Sequence, residues 1–185
     1  MPGPQPAFNL SDRHPRLRLG AIVASCLILA AFSQPLSGAP APQTRVRALP
    51  AQAQVRVGKI VTVDIQIRAA NNVGSVPFML VYDPEVLEPL TSMMLEGPFL
   101  KRDGSSTAFM TRVSATAAGA LIVGHSRLRS DRGLAGKGTL CRLRFRALRE
   151  GTSALSFVRA SVLDPLAQPL QATFESSSIR VKAAK

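Results

Sequence analysis

From Val55 onward the chain alternates apolar and polar residues at a period of two, the spacing of strands that bury one face and leave the other to solvent. Val61, Val63, Ile65 and Ile67 alternate with Thr62, Asp64, Gln66 and Arg68, which predicts a half-buried strand. A shorter strand, Val55-Arg56-Val57, precedes it across Gly58-Lys59. Residues 76–90 read as strand, sharp turn and strand: Phe78, Leu80 and Tyr82 share one face, Asp83-Pro84 supplies the turn, and Val86 and Leu87 restart an apolar segment. A lone hairpin cannot bury that face, so a second sheet must pack against it.

The rest of the chain supplies strands for one. Residues 107–113 and 120–127 have strand spacing, with Ala118-Gly119 between them. Residues 130–138 are glycine-rich and expected as loop. In residues 139–148, Leu143, Phe145 and Ala147 point one way and Arg142, Arg144 and Arg146 the other. Leu140 is out of phase with Leu143, and a β-bulge near Cys141 and Arg142 reconciles them. Leu155 with Phe157, and Ile179 with Val181, complete the series, and Asp164-Pro165 repeats the turn chemistry of Asp83-Pro84. About nine short strands at roughly ten-residue intervals, with no helical spacing, predict an all-β sandwich in one domain over residues 55–182.

The N-terminus follows a different pattern. Arg13, Arg16 and Arg18 precede an apolar run over residues 19–32, and Ser33-Gln34-Pro35 breaks it ahead of Ser37, Gly38 and Ala39, the layout of a secretory signal. The run has 14 residues, against about 20 for a spanning helix. Val23-Ala24-Ser25-Cys26 also resembles a bacterial lipobox, in which Cys26 would be lipidated. Residues 1–39 are therefore expected as a cleaved signal peptide, a lipoprotein signal or an uncleaved N-terminal anchor. Each delivers the domain outside the bacterial cytoplasm, secreted or periplasmic in the cell envelope, with contact to membrane only through an uncleaved or lipidated N-terminus. Residues 40–54, with Pro40, Pro42 and Pro50, are expected as a Pro/Ala-rich linker.

Composition narrows the chemistry. The net charge is +12, with 23 basic residues of which most are arginine, so acidic surfaces attract the chain without being named by its charge. The outward stripe Arg142, Arg144 and Arg146 reads as a solvated, edge-protecting strand face or as a site for an acidic partner. Basic residues are not interleaved with aromatics, which argues against nucleic acid. Cys141 is the lone cysteine beyond residue 39, so no disulfide framework exists and a small buried side chain is expected. His125 is the lone histidine there and has no nucleophile and orienting group in sequence register with it. Asp83 and Asp164 serve turns, and no His/Cys cluster or alternating acidic loop marks a metal site, so neither enzyme activity, a metal nor a cofactor is expected. The chain has no Trp and a single Tyr, placed inward by the alternation, which disfavours an aromatic platform for sugars.

Several segments, in order, resemble the cohesin domains, in the branch found singly in exported bacterial proteins. They are Val57-Gly58 ahead of Val61-Thr62-Val63-Asp64-Ile65; residues 78–84 with Val86-Leu87-Glu88; Gly97-Pro98-Phe99-Leu100 with Asp103-Gly104; and Gly136-Lys137-Gly138-Thr139-Leu140 with Leu143, Phe145, Ala147 and Gly151. The resemblance implies a nine-stranded jelly-roll β-sandwich, related in fold to carbohydrate-binding modules, that is non-catalytic and binds another protein. The implied partner is dockerin-like, any calcium arriving with it. The implied contact surface is the sheet holding the strand before the Tyr82-Asp83-Pro84 turn, whose outward positions are Ser75, Pro77, Met79 and Val81. In cellulosomal cohesins those positions include asparagine and aspartate that hydrogen-bond the dockerin helix. Here Pro77 offers no donor, and Met79 and Val81 suit an apolar contact surface or a face covered within the protein. The expected function is thus an exported protein-binding module, linked by analogy to polysaccharide catabolism. A carbohydrate-binding module and a structural piece of an envelope or secretion assembly remain alternatives.

Overall fold

The computed structural model describes residues 43–184; the segment expected as signal or anchor, including Cys26, lies outside them. One sheet comprises β1 (Thr44–Leu49), β3 (Ile60–Val73), β5 (Leu87–Pro89), β6 (Leu95–Glu96), β9 (Leu134–Ala147) and β13 (Ala172–Glu175), in the order β13-β1-β3-β9-β5 with β6 also on β9. The second comprises β2 (Gln52–Arg56), β4 (Phe78–Val81), β7 (Thr107–Val113), β8 (Ala120–Arg127), β10 (Gly151–Val158) and β14 (Ser177–Lys182), in the order β2-β14-β10-β4-β8-β7. A ribbon of β11 (Val162–Leu163) and β12 (Pro169–Leu170) completes the strands.

The two sheets bury their facing residues against each other. Val63, Ile65, Ile67, Leu143 and Phe145 come from the first sheet, and Phe78, Leu80, Leu121, Leu155 and Ile179 from the second; all are buried. Each such side chain contributes about 2 kcal/mol of transfer free energy. Aromatic contacts tie the layers: Tyr82 and Phe145 lie 5.7 Å apart between ring centres, and Phe157 of β10 lies 5.4 Å from Phe174 of β13.

The all-β sandwich is therefore as the alternation predicts, but several parts are arranged differently. Among the described residues fourteen strand segments appear where about nine were expected, the additional ones being β1, β6, β11, β12 and β13. The expected linker, residues 40–54, contains β1 and the start of β2. Val46 and Ala48 bury while Arg45 and Arg47 turn outward, a period-two pattern too short to stand out among the prolines. β1 is held by antiparallel pairing to β3 and parallel pairing to β13.

Residues 76–90 are not a hairpin. β4 lies in the second sheet and β5 in the first, so Asp83-Pro84 carries the chain across the sandwich. Asp83 Oδ1 accepts from Glu85 N at 2.9 Å, and the Asp83 carbonyl accepts from Val86 N and Leu87 N, winding a turn that redirects the chain instead of folding it back. Part of the expected loop 130–138 is strand, since β9 begins at Leu134 and pairs irregularly with the end of β3. The bulge expected near Cys141 is present: Ile65 faces Cys141 and Gln66 faces Thr139, leaving Leu140 as the extra residue and both Leu140 and Cys141 buried.

Candidate partner-binding face

β4 occupies the middle of the second sheet. Its backbone pairs with β10 on one side, Met79 opposite Val158 and Val81 opposite Ser156, and with β8 on the other, Met79 opposite Ile122 and Val81 opposite Ala120. No edge of β4 is left for strand addition, so any partner must meet side chains. Phe78 and Leu80 are buried inward, whereas Met79 is half-buried and Val81 is 37% exposed on the outer face.

The registers extend this outer face beyond the four positions read from the sequence. One row runs Val158–Met79–Ile122–Arg112 across β10, β4, β8 and β7. Met110 on β7 sits opposite Gly124 and is 52% exposed. Gly124 leaves the hollow that this side chain overlies, for a Cβ there would come within 3.2 Å of Met110 Cγ. Val158, Ile122 and Met110 escape a reading confined to one strand, because only the register of three neighbouring strands brings them beside Met79 and Val81.

Pro77 and Ser75 differ in role from Met79 and Val81. Pro77 is half-buried just ahead of β4, and its carbonyl accepts from Ser161 N at 3.1 Å. Ser75 bridges to Ser126 and Leu163, with its hydroxyl 2.8 Å from that of Ser126. It fastens the ribbon β11–β12 to the sheet and leaves the apolar centre to its neighbours. Among the described residues, the outward positions of the six strands carry no aromatic ring.

The arginine stripe lies on the opposite outside of the sandwich. Arg142 Nε donates to Asp64 Oδ1 at 2.7 Å across β9 and β3, and Arg146 donates to Glu88 on β5 at 2.9 Å. Arg144 faces Thr62. β9 is an interior strand, flanked by β3 on one side and by β5 and β6 on the other, so the stripe does not protect an edge. Two of its three cations are matched by acids of neighbouring strands.

Among the described residues, no catalytic arrangement is built around the remaining chemistry. His125 is buried, with Nε2 2.9 Å from Glu96 Oε1, and burial holds its pKa below the ordinary value against the pull of that carboxylate. Burial, reinforced by Asp64, pushes the Cys141 thiol far up, where it is inert. Among the described residues, no three of His, Cys, Asp or Glu gather where a metal ion could be held.

The sequence model of the cohesin domain matches residues 48–181. Among solved structures, a non-cellulosomal cohesin from the hyperthermophilic archaeon Archaeoglobus fulgidus superposes with a TM-score of 0.61 at 22% identity, covering 76% of this chain and 92% of that one. A type II cohesin domain from the cellulosome of Acetivibrio cellulolyticus gives 0.63 at 21% identity, covering 75% and 95%. A type I cohesin–dockerin complex from Clostridium thermocellum gives 0.62 at 13% identity, covering 77% and 95%. At these identities the likeness is one of fold. No curated protein matches the chain.

Proposed function

This chain belongs to the cohesin domain family, a family of non-catalytic binding modules, and on that premise we propose that it captures a protein partner on the outer face of β10, β4, β8 and β7. The observation that carries the reading is the continuous apolar row Val158–Met79–Ile122, widened by Val81 and Met110, at the centre of a sheet whose other side is already filled by the core. Exposed apolar groups in one contiguous patch mark contact surfaces, whereas scattered ones do not. The two methionines give the patch side chains that adapt to a partner's shape.

The proposed partner is dockerin-like in docking a folded surface against this sheet, and any calcium would belong to it. Contact through Met79 and Val81 replaces polar recognition with apolar burial, so the partner carries an apolar stripe where those residues meet it. Residues 1–39 serve in this proposal as the signal or anchor that places the module in the envelope or beyond it.

Capture from envelope extract tests the proposal. The double variant Met79→Asp/Val81→Asp is expected to remain folded by circular dichroism and to lose the captured protein. Retention of the same protein at unchanged yield would refute the assignment of this face. Repeating capture in a chelator separates a calcium-carrying partner, which is lost, from one that folds without the ion.

A further inference from the structure

The two outer faces differ in whether their strands carry acids. On the first sheet Asp64 and Glu88 pair with Arg142 and Arg146. On the second, the outward positions of the six strands include Arg56, Arg112, Arg180 and Lys182 and no Asp or Glu. Arg159 follows Val158 at the exposed end of β10, with a positive φ of 49°. None of these five residues takes part in an ion pair among the described residues.

Their placement relative to the apolar row is specific. Arg112 ends that row, two strands from Met79 and so about 10 Å away at the usual strand spacing. Arg159 borders its other end next to Val158. Arg180 and Lys182, on β14 beyond β10, lie toward the other end of β10, Arg180 facing Thr152, and take no part in that border. The apolar row is thus flanked at its two ends by uncompensated positive charge, and contact with a basic partner would leave like charges facing each other as water is excluded.

We infer that the partner of this face is an acidic amphipathic segment, an apolar stripe bordered by Asp and Glu, with Arg112 and Arg159 selecting for the acidic border. The inference rests on the reading of this face as the partner site. Both edges of β4 are occupied, so the segment docks by side chains, as a helix presenting its stripe at the i, i+3, i+4 and i+7 positions along the apolar row does.

The test uses the full chain and two synthetic helical peptides with one leucine stripe, bordered by Glu in one and by Lys in the other, read by fluorescence anisotropy. The Glu peptide is expected to bind about tenfold more tightly at low salt, the sum of several weak exposed pairs, with the advantage shrinking as salt rises. Arg112→Glu/Arg159→Glu should remove or reverse the preference, and Met79→Asp/Val81→Asp should weaken both peptides. Equal binding of the two peptides, lost in Met79→Asp/Val81→Asp, would overturn the acidic selection while sparing the face. A preference unmoved by Arg112→Glu/Arg159→Glu would overturn the role of those two residues. Binding of neither peptide would overturn the inference and the face together.

Discussion

Glu96 joins the buried His125 to polar groups nearer the surface. Its carboxylate accepts from Lys101 Nζ at 2.6 Å and from the Thr107 hydroxyl, and lies 2.9 Å from His125 Nε2. Burial alone would raise the Glu96 pKa, but the hydrogen bonds from Lys101, Thr107 and His125 outweigh it and leave the group more acidic than usual. Burial also keeps His125 neutral, so its folded pKa lies below the 6.5 of the unfolded chain. The stability it contributes is complete above that value and falls as pH drops toward the folded pKa, because the unfolded chain takes up the proton first. The urea midpoint is expected to decline between about pH 7.5 and 5.5, and His125→Gln should flatten that decline; an equally steep decline in the variant would assign it to other groups. Arg127 is a second anchor, its side chain 3% exposed and its guanidinium donating to the Leu100 carbonyl, Asp103, Ser105 and Ser130. Arg127→Met should cost about 2 kcal/mol in chemical denaturation by stranding those acceptors; a loss within about 0.5 kcal/mol would show that water replaces it without penalty. These clusters were invisible in the sequence, since Glu96 and His125 meet only through the fold.

At the scale of elements, the positions that matter are close backbone approaches and turns that change sheet. Gly97 donates to the Leu140 carbonyl at 2.8 Å, and a Cβ there would lie 2.3 Å from the Thr139 oxygen. Gly97→Ala should therefore cost about 2–4 kcal/mol by forcing the segment before Phe99 off β9. Gly58 has a φ of +79° but open space around its Cα, so Gly58→Ala should cost only about 1 kcal/mol. Equal thermal shifts for the two would mean that the close approach at Gly97 costs no more than the positive φ at Gly58. The strands were legible where alternation ran for five residues or more, as in β7 and β8, whose bounds the structure reproduces. Asp83-Pro84 marked a change of direction, but turn chemistry is local and does not say which sheet receives the next strand. β1 stayed hidden because its buried residues Thr44, Val46 and Ala48 gain their meaning from pairing with β3 and β13, at long sequence separation.

Across the whole molecule, the two outer faces divide the work. The first carries acids, Asp64 and Glu88, that pair with Arg142 and Arg146, and the second carries an apolar row with unanswered cations at its ends. Met79 and Val81 were recognisable from sequence as outward residues of the decisive strand, whereas Val158, Ile122, Met110 and Arg112 join them only through register. The methionines supply the most direct test of which face meets the partner. Met79 and Met110 lie on the second sheet's outer face, while Met93, 37% exposed, lies on the turn leading into β6 of the first. Oxidative footprinting of the full chain, free and with its captured partner, reads the accessibility of each sulfur. Slower oxidation of Met79 and Met110 with Met93 unchanged is the expected result; protection of Met93 with Met79 and Met110 still oxidised at their free rates would place the partner on the other sheet.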